Sequence, residues 1–358
     1  MSHTPDLSII IPALNEAKSL PLLINDLLRQ KKIIFELIVV DGGSNDGTHE
    51  LVNSLEHPEK IDIKLLRTSA GRGLQMNEGA KLAGASDLLF LHADSRIDND
   101  QFLFDAMTFM HQQREGGERD NLAGHFGLKF IRNDEKNNGA YYFYESKTRL
   151  NRKDCINGDQ GIWLSRQFFH RLGMYDESLT YMEDVRLANK IFAAGCWVTL
   201  PGTLQTSARR FEREGFAQRQ TLNALISNFE DIGQQSFLQS AKNIYQTQAS
   251  TTEIKLKPFF RAANQTLFLN GFVRGVVNWY KTGRYVAQNA WQLAFAVDCA
   301  RNRKSELVSG EAGHYWLHKY DRWISFFVTS PVGNIITALV TAVWFYGSWL
   351  FFKGSTEG

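Results

Sequence analysis

FELIVVDGGSNDGT, residues 35–48, passes from a short apolar, β-branched run into a segment made of turn formers. Phe35 to Val40 has the composition of a strand buried on both faces of a parallel sheet, and Asp41 to Thr48 that of the loop leaving it. In an open α/β sheet, ligands bind beyond the carboxyl ends of the strands, which is where this loop falls. Asp41 is placed there to accept a hydrogen bond from a nucleotide base or a ribose hydroxyl, with Gly42 and Gly43 allowing close backbone approach. The same residues also suit an ordinary Asp-Gly turn, with Asp46 or Thr48 capping the next helix.

Working outward, Leu7 to Ile11, Ile61 to Leu66 and Leu88 to Leu91 are further strand candidates, and the stretches between them are amphipathic. Leu20, Leu23, Ile24, Leu27 and Leu28 recur at helical spacing, with Pro21 in the first turn. Helical periods return over residues 99–113 and 184–194, and Cys196 to Leu200 is a short strand closed by Pro201-Gly202. The expected fold is therefore α/β, a Rossmann-type, mostly parallel sheet flanked by helices and running to about residue 205. Beyond it the apolar residues of 216–300 keep helical spacing, which predicts a helical extension. Three segments follow: 1–220, 221–322 and 323–358.

Several loops carry candidate chemistry. The first strand runs into Pro12, Asn15 and Glu16 at the same edge as Asp41, Gly43 and Ser44. AGRGLQMNEGA, residues 70–80, is a Gly-rich turn opening a helix, where free N–H groups and the helix dipole attract phosphate and Arg72 adds a charged donor; a plain helix cap is the other outcome. It contains Asn77 and no Walker Lys-Ser/Thr. FLHADS, residues 90–95, puts Asp94, a hard oxygen ligand for Mg²⁺ or Mn²⁺, directly after an apolar run, with His92 and Ala93 before it. His92 serves as a second ligand, a phosphate donor or a satisfied polar residue. GDQGIW, residues 158–163, holds Asp159 and Gln160, and Glu183 and Asp184 open the next helix, where carboxylates also suit the dipole. Arg209 and Arg210 offer cations to a diphosphate, or simply begin an exposed helix.

Taken together, IIIPALNE, VVDGGSNDGT, FLHAD and MEDV resemble the family 2 inverting glycosyltransferases, which have the GT-A fold. The resemblance covers roughly residues 7–215. GRGLQMNEGA, LHADS, GDQGIWLSRQFF and SARRF are similar to the radical-SAM/selenodomain-associated branch. The resemblance implies that Asp41 contacts the base, Asp94 holds a divalent cation and Asp184 is the catalytic base. Pro12, Asn15, Glu16, Gly43, Ser44, Arg72, Asn77, His92, Ala93, Arg209 and Arg210 then fall on the donor side, and Asp159, Gln160 and Glu183 on the acceptor side. The family's Asp-x-Asp has His92 at its first position, and the Gln-x-x-Arg-Trp of processive synthases is missing, which disfavours polymerisation. The activity implied is transfer of a sugar from a nucleotide diphosphate donor to an acceptor hydroxyl, a lipid-linked acceptor among the candidates. The alternatives are nucleotidyl transfer in the same pocket, marked by pyrophosphate release, and a membrane-tethered nucleotide-sugar binder without turnover.

Composition narrows the setting. Forty Lys and Arg against 38 Asp and Glu give a net charge of +2, without the clustered basic excess of a nucleic-acid binder. Cys155, Cys196 and Cys299 form no zinc pair or disulfide framework, which fits a reducing compartment. The first residues lack the pattern of a secretory signal. From Trp323 to Phe352 no residue is charged. Residues 332–352 would reach about 30 Å as a helix, so a C-terminal transmembrane anchor is expected, with the catalytic part on the cytoplasmic face of the inner membrane; a buried helix or hairpin broken at Ser330-Pro331-Val332-Gly333 is the other outcome.

Overall fold

Leu7–Ala13 (β1) and Phe35–Asp41 (β2) lie side by side in register Leu7↔Phe35 to Ala13↔Asp41. With Asp62–Arg67 (β3), Asp87–Phe90 (β4), Ser95–Arg96 (β5), Leu122–Ile131 (β6), Ile162–Ser165 (β7) and Cys196–Ser207 (β8) they form an eight-stranded sheet in the order β3-β2-β1-β4-β7-β6-β8-β5. The computed structural model describes residues 4–54, 61–116, 120–179, 181–248 and 253–354. It divides into two compact units, residues 1–132 with 141–207, and residues 133–140 with 208–358.

In the first unit β1 to β4 are mutually parallel, as the uninterrupted apolar runs imply. Alternate residues of these strands feed opposite cores. Ile9, Ile11 and Val39 meet the helix Leu20–Leu28 on one face, and Ile10, Ile38 and Val40 meet Met76 and Ala80 of the helix Arg72–Leu82 on the other. That second helix sits close, since a Cβ on Gly79 would lie 2.5 Å from Ile10 Cγ2. Beyond β4 the sheet is mixed. β7 is antiparallel to β4 and β6, β6 is parallel to β8, and β5 is antiparallel to β8.

One boundary differs from the sequence expectation. Pro201-Gly202 does not close β8, which continues to Ser207. Register slips between His125 and Gly127 of β6, so that the chain around Pro201 bulges; a proline lacking its N–H is tolerated at such a bulge.

The second unit is helical, as expected, and its larger part starts at Ala208. Phe229, Phe237, Phe259 and Phe260 form its core together with Phe345 from the last helix, Pro331–Gly354. Residues 323–358 thus fall inside this unit. Within that helix Pro331–Phe352 is long and apolar enough to cross a membrane.

Candidate active site

The loops leaving β1 and β2 are sewn together at the carboxyl edge of the sheet. Asn15 N–H donates to Ser44 Oγ (2.9 Å), Asn45 N–H to Asn15 Oδ1 (3.0 Å) and Glu16 N–H to Thr48 Oγ1 (2.9 Å). Asn15 adopts φ 58°, a left-handed conformation that Asn accepts more readily than most residues. Below the loops the buried Gln75 amide donates to Ala13 O (2.9 Å) and Val40 O (2.7 Å), tying the ends of both strands. Gln75 was not singled out from sequence, where nothing separates a buried glutamine from an exposed one.

Asp41 ends β2 with its side chain buried. Oδ1 accepts Ser44 N–H at 2.9 Å, whereas Oδ2 has no hydrogen-bond partner among the described residues, with His49 Nδ1 at 3.3 Å and Arg67 Nε at 3.8 Å. Burial works to raise the carboxyl pKa, but the Ser44 hydrogen bonds and the charges of His49 and Arg67 outweigh it and hold the group below its ordinary value. Asp41 Oδ2 is thus a buried, charged acceptor with spare hydrogen-bonding capacity, next to the exposed Gly43.

A second cluster gathers around Arg72, at the start of its helix. The guanidinium lies 3.2 Å from Glu183 Oε1. The protein packed around it works against its charge although the side chain stays partly open to solvent, yet the fields of Glu183, Asp184, Asp159 and Asp94 raise its pKa. Glu183 is the carboxylate that pairs with it directly. Asp184 Oδ2 accepts Gly158 N–H at 2.7 Å, and Oδ1 accepts Val185 N–H at 2.8 Å. His92 Nδ1 lies 2.6 Å from Asp159 Oδ1, while its buried Nε2 has no hydrogen-bond partner among the described residues. Tyr175, packed edge-on against Phe90, backs the cluster; burial and the charges of Asp184 and Glu183 push its hydroxyl far above the usual value. No sequence signal marked Tyr175.

Three candidates have side chains engaged by the protein itself. Asn77 is buried, exchanging hydrogen bonds with Tyr175 N–H and Tyr175 O (3.0 Å each) and donating to Glu177 Oε1 (2.8 Å). Gln160 is likewise turned inward, its amide donating to Thr148 O (2.8 Å) and its oxygen accepting Asn157 N–H (2.9 Å), so it shapes the turn. Glu183 is buried on Arg72, and its carboxyl is pushed up by burial and by the Asp184 charge, with Arg72 opposing. Adjacent positions on the helix Glu183–Ala194 thus both engage the cluster, Glu183 through Arg72 and Asp184 through Gly158 N–H. Pro12 is half-buried in β1 and Ala93 buried in the His92–Ser95 turn. Arg209 and Arg210 are exposed at the start of the helix Arg209–Glu214, in the second unit.

No grouping of three or more His, Cys, Asp or Glu side chains suited to a metal occurs among the described residues. The donor set fits the mode in which Mg²⁺ or Mn²⁺ takes one or two protein carboxylates and completes its shell with phosphate oxygens and water. Among the candidates Asp94 offers a carboxylate of that kind, whereas His92 Nδ1 is engaged by Asp159.

Residues 8–173 match the family model described as glycosyl transferase family 2. This region is a family 2 glycosyltransferase domain. The match ends before Glu183 and Asp184. The PGL/p-HBAD biosynthesis glycosyltransferase of Mycobacterium bovis is 39% identical over 95 residues, 26% of this chain and 37% of its own. The poly(ribitol-phosphate) beta-N-acetylglucosaminyltransferase TarS of Staphylococcus aureus is 33% identical over 108 residues, 29% of this chain and 19% of its own. The chain therefore spans well under half the length of these relatives. Among solved structures, residues 1–349 of S. aureus TarS with UDP superpose at a TM-score of 0.48 and 16% identity, covering 96% of this chain and 92% of that one.

Proposed function

We propose that the chain transfers one sugar from a nucleoside diphosphate donor to an acceptor hydroxyl, with inversion at the anomeric carbon. The observation that carries this proposal is the cluster in which Arg72 pairs with Glu183 while Asp184 and His92, the latter held by Asp159, meet beside Gly158, on the same unit as the buried Asp41 carboxylate. The family match and the relatives named as sugar transferases support the same chemistry.

In this scheme Asp41 Oδ2 accepts a hydrogen bond from the nucleotide, between loops pre-ordered by Asn15 and Ser44. Arg72 meets the negative charge of the diphosphate. Asp184 takes the proton of the acceptor hydroxyl as its oxygen bonds to the anomeric carbon. The bond from that carbon to the diphosphate breaks and its electron pair leaves with the nucleoside diphosphate. A divalent cation, when held by Asp94, would offset charge on the leaving group. His92, oriented by Asp159, lines the same floor as Asp184, since both lie within reach of the Cβ that Gly158 lacks. Glu183, screened by Arg72, holds that guanidinium in place.

A panel of nucleotide sugars, each with and without Mn²⁺, tests this. Release of nucleoside diphosphate is the expected result, and pyrophosphate release or binding without turnover would overturn it.

A further inference from the structure

The last helix, Pro331–Gly354, has two faces with different fates. Its inner face is committed to the second unit along its whole length. Near its start Asn334 is buried, and its carbonyl oxygen would lie 2.2 Å from a Cβ on Gly283 of the helix Phe272–Gln288, so the two backbones touch. Farther on, Phe345 is buried against Phe260 and Trp279, and Tyr346 O–H donates to Asn264 Oδ1 at 2.9 Å. The outer face holds only apolar side chains. Val332, Ile336, Leu339, Val343 and Leu350 are each more than half exposed.

The neighbouring helix continues this surface. Phe272, Val273 and Val276 are 75%, 78% and 52% exposed, and Phe326 and Phe327 from the helix Ser325–Val328 are 78% and 70% exposed. Exposed apolar side chains in this number, on three helices packed against one another, are more than a soluble monomer normally leaves in water. The helix Phe272–Gln288 itself carries one sign of charge, Arg274, Lys281 and Arg284 with no acid.

We infer that the paired helices Phe272–Gln288 and Pro331–Gly354 dock into one leaflet of an anionic bilayer and lie along it, without crossing it. A spanning arrangement would strip Pro331–Gly354 from Phe260, Trp279 and Asn264. Alternatively it would drag Arg274, Lys281 and Arg284 into hydrocarbon with their helix, where charges are strongly disfavoured. Lying in the interface keeps the inner contacts, buries the apolar face among acyl chains and sets the cations at headgroup level. The inferred arrangement departs from the expectation of a spanning anchor drawn from length and hydropathy, and it stands independently of the sugar chemistry.

The test uses the full chain and vesicles of phosphatidylcholine, with or without about one-quarter phosphatidylglycerol. Flotation with the anionic vesicles is expected, falling about fivefold for each of Arg274→Gln and Arg284→Gln. The double variant Val273→Glu/Val276→Glu, which leaves Pro331–Gly354 intact, should lose at least tenfold in partitioning while its circular dichroism is unchanged. In sealed proteoliposomes a tag at the C-terminus should be cut by added protease from the same side as the first unit. A tag protected on the opposite side, or a double variant that partitions like the parent, would overturn the inference. So would a full chain that ignores both kinds of vesicle and instead forms a dimer broken by Val273→Glu/Val276→Glu.

Discussion

A Cβ added at Gly158 would lie 2.7 Å from His92 Nε2 and 3.0 Å from Asp184 Oδ2. Gly158→Ala is therefore expected to push the two side chains apart, lowering turnover at least tenfold while shifting the melting temperature by only a few degrees. Steady-state kinetics beside a thermal melt check this, and unimpaired turnover would show that the two groups do not act together. Glu36 tests a different kind of carboxylate. It is buried in β2, accepting from Ser8 Oγ, Gly84 N–H and Lys64 Nζ at 2.5 Å each. Burial works to raise its pKa, but these partners prevail and hold it below the ordinary 4.5. Its contribution to stability is then complete above that value and drains away as pH falls through the lower folded pKa. Glu36→Gln should cost about 1–3 kcal/mol near neutrality and progressively less in acid; a gap in urea unfolding that widens below pH ~4 would contradict the linkage. Asp41 and Asp94 stand out in the sequence because a carboxylate closing an apolar run at a strand end is conspicuous, whereas Asp184 is singled out by the family resemblance, a helix start alone being explained by the dipole. The burial of Asn77, Gln75 and Gln160 is not legible, since a polar residue inside a loop motif does not announce it.

At the scale of elements, the parallel strands β1 to β4 were legible from their apolar runs, whereas β6 and β7 were not. β6 mixes His125, Gly124 and Gly127 into its run, and β7 is four residues long, too short for a period. Pro201-Gly202 misled as a stop signal because a bulge absorbs it. Gly202 sits there at φ 93°, and a Cβ would meet the Phe102 ring at 2.6 Å. Gly202→Ala should destabilise the first unit by roughly 1–3 kcal/mol through backbone strain and this clash. A chemical denaturation midpoint equal to that of the parent would remove the bulge from the account.

For the molecule as a whole, composition foresaw an α/β part, a helical part and an apolar tail, but it could not choose between an anchor and a buried helix for that tail, whose Phe345 lies in the helical core. Phe345→Ala is expected to cost about 3–5 kcal/mol of the second unit's stability, since it empties a site walled by Phe260 and Trp279. A free membrane anchor would lose almost nothing, and calorimetry of the full chain separates the two. The central claim is catalytic, and Asp184→Asn tests it most directly, with nucleoside diphosphate release and donor affinity measured on the same preparation. Asn keeps the volume and can still accept Gly158 N–H, but it cannot take the acceptor proton. Turnover should fall by about 10²–10⁴-fold while donor affinity stays within a few-fold of the parent. Near-normal turnover, or loss of donor binding in step with activity, would contradict it.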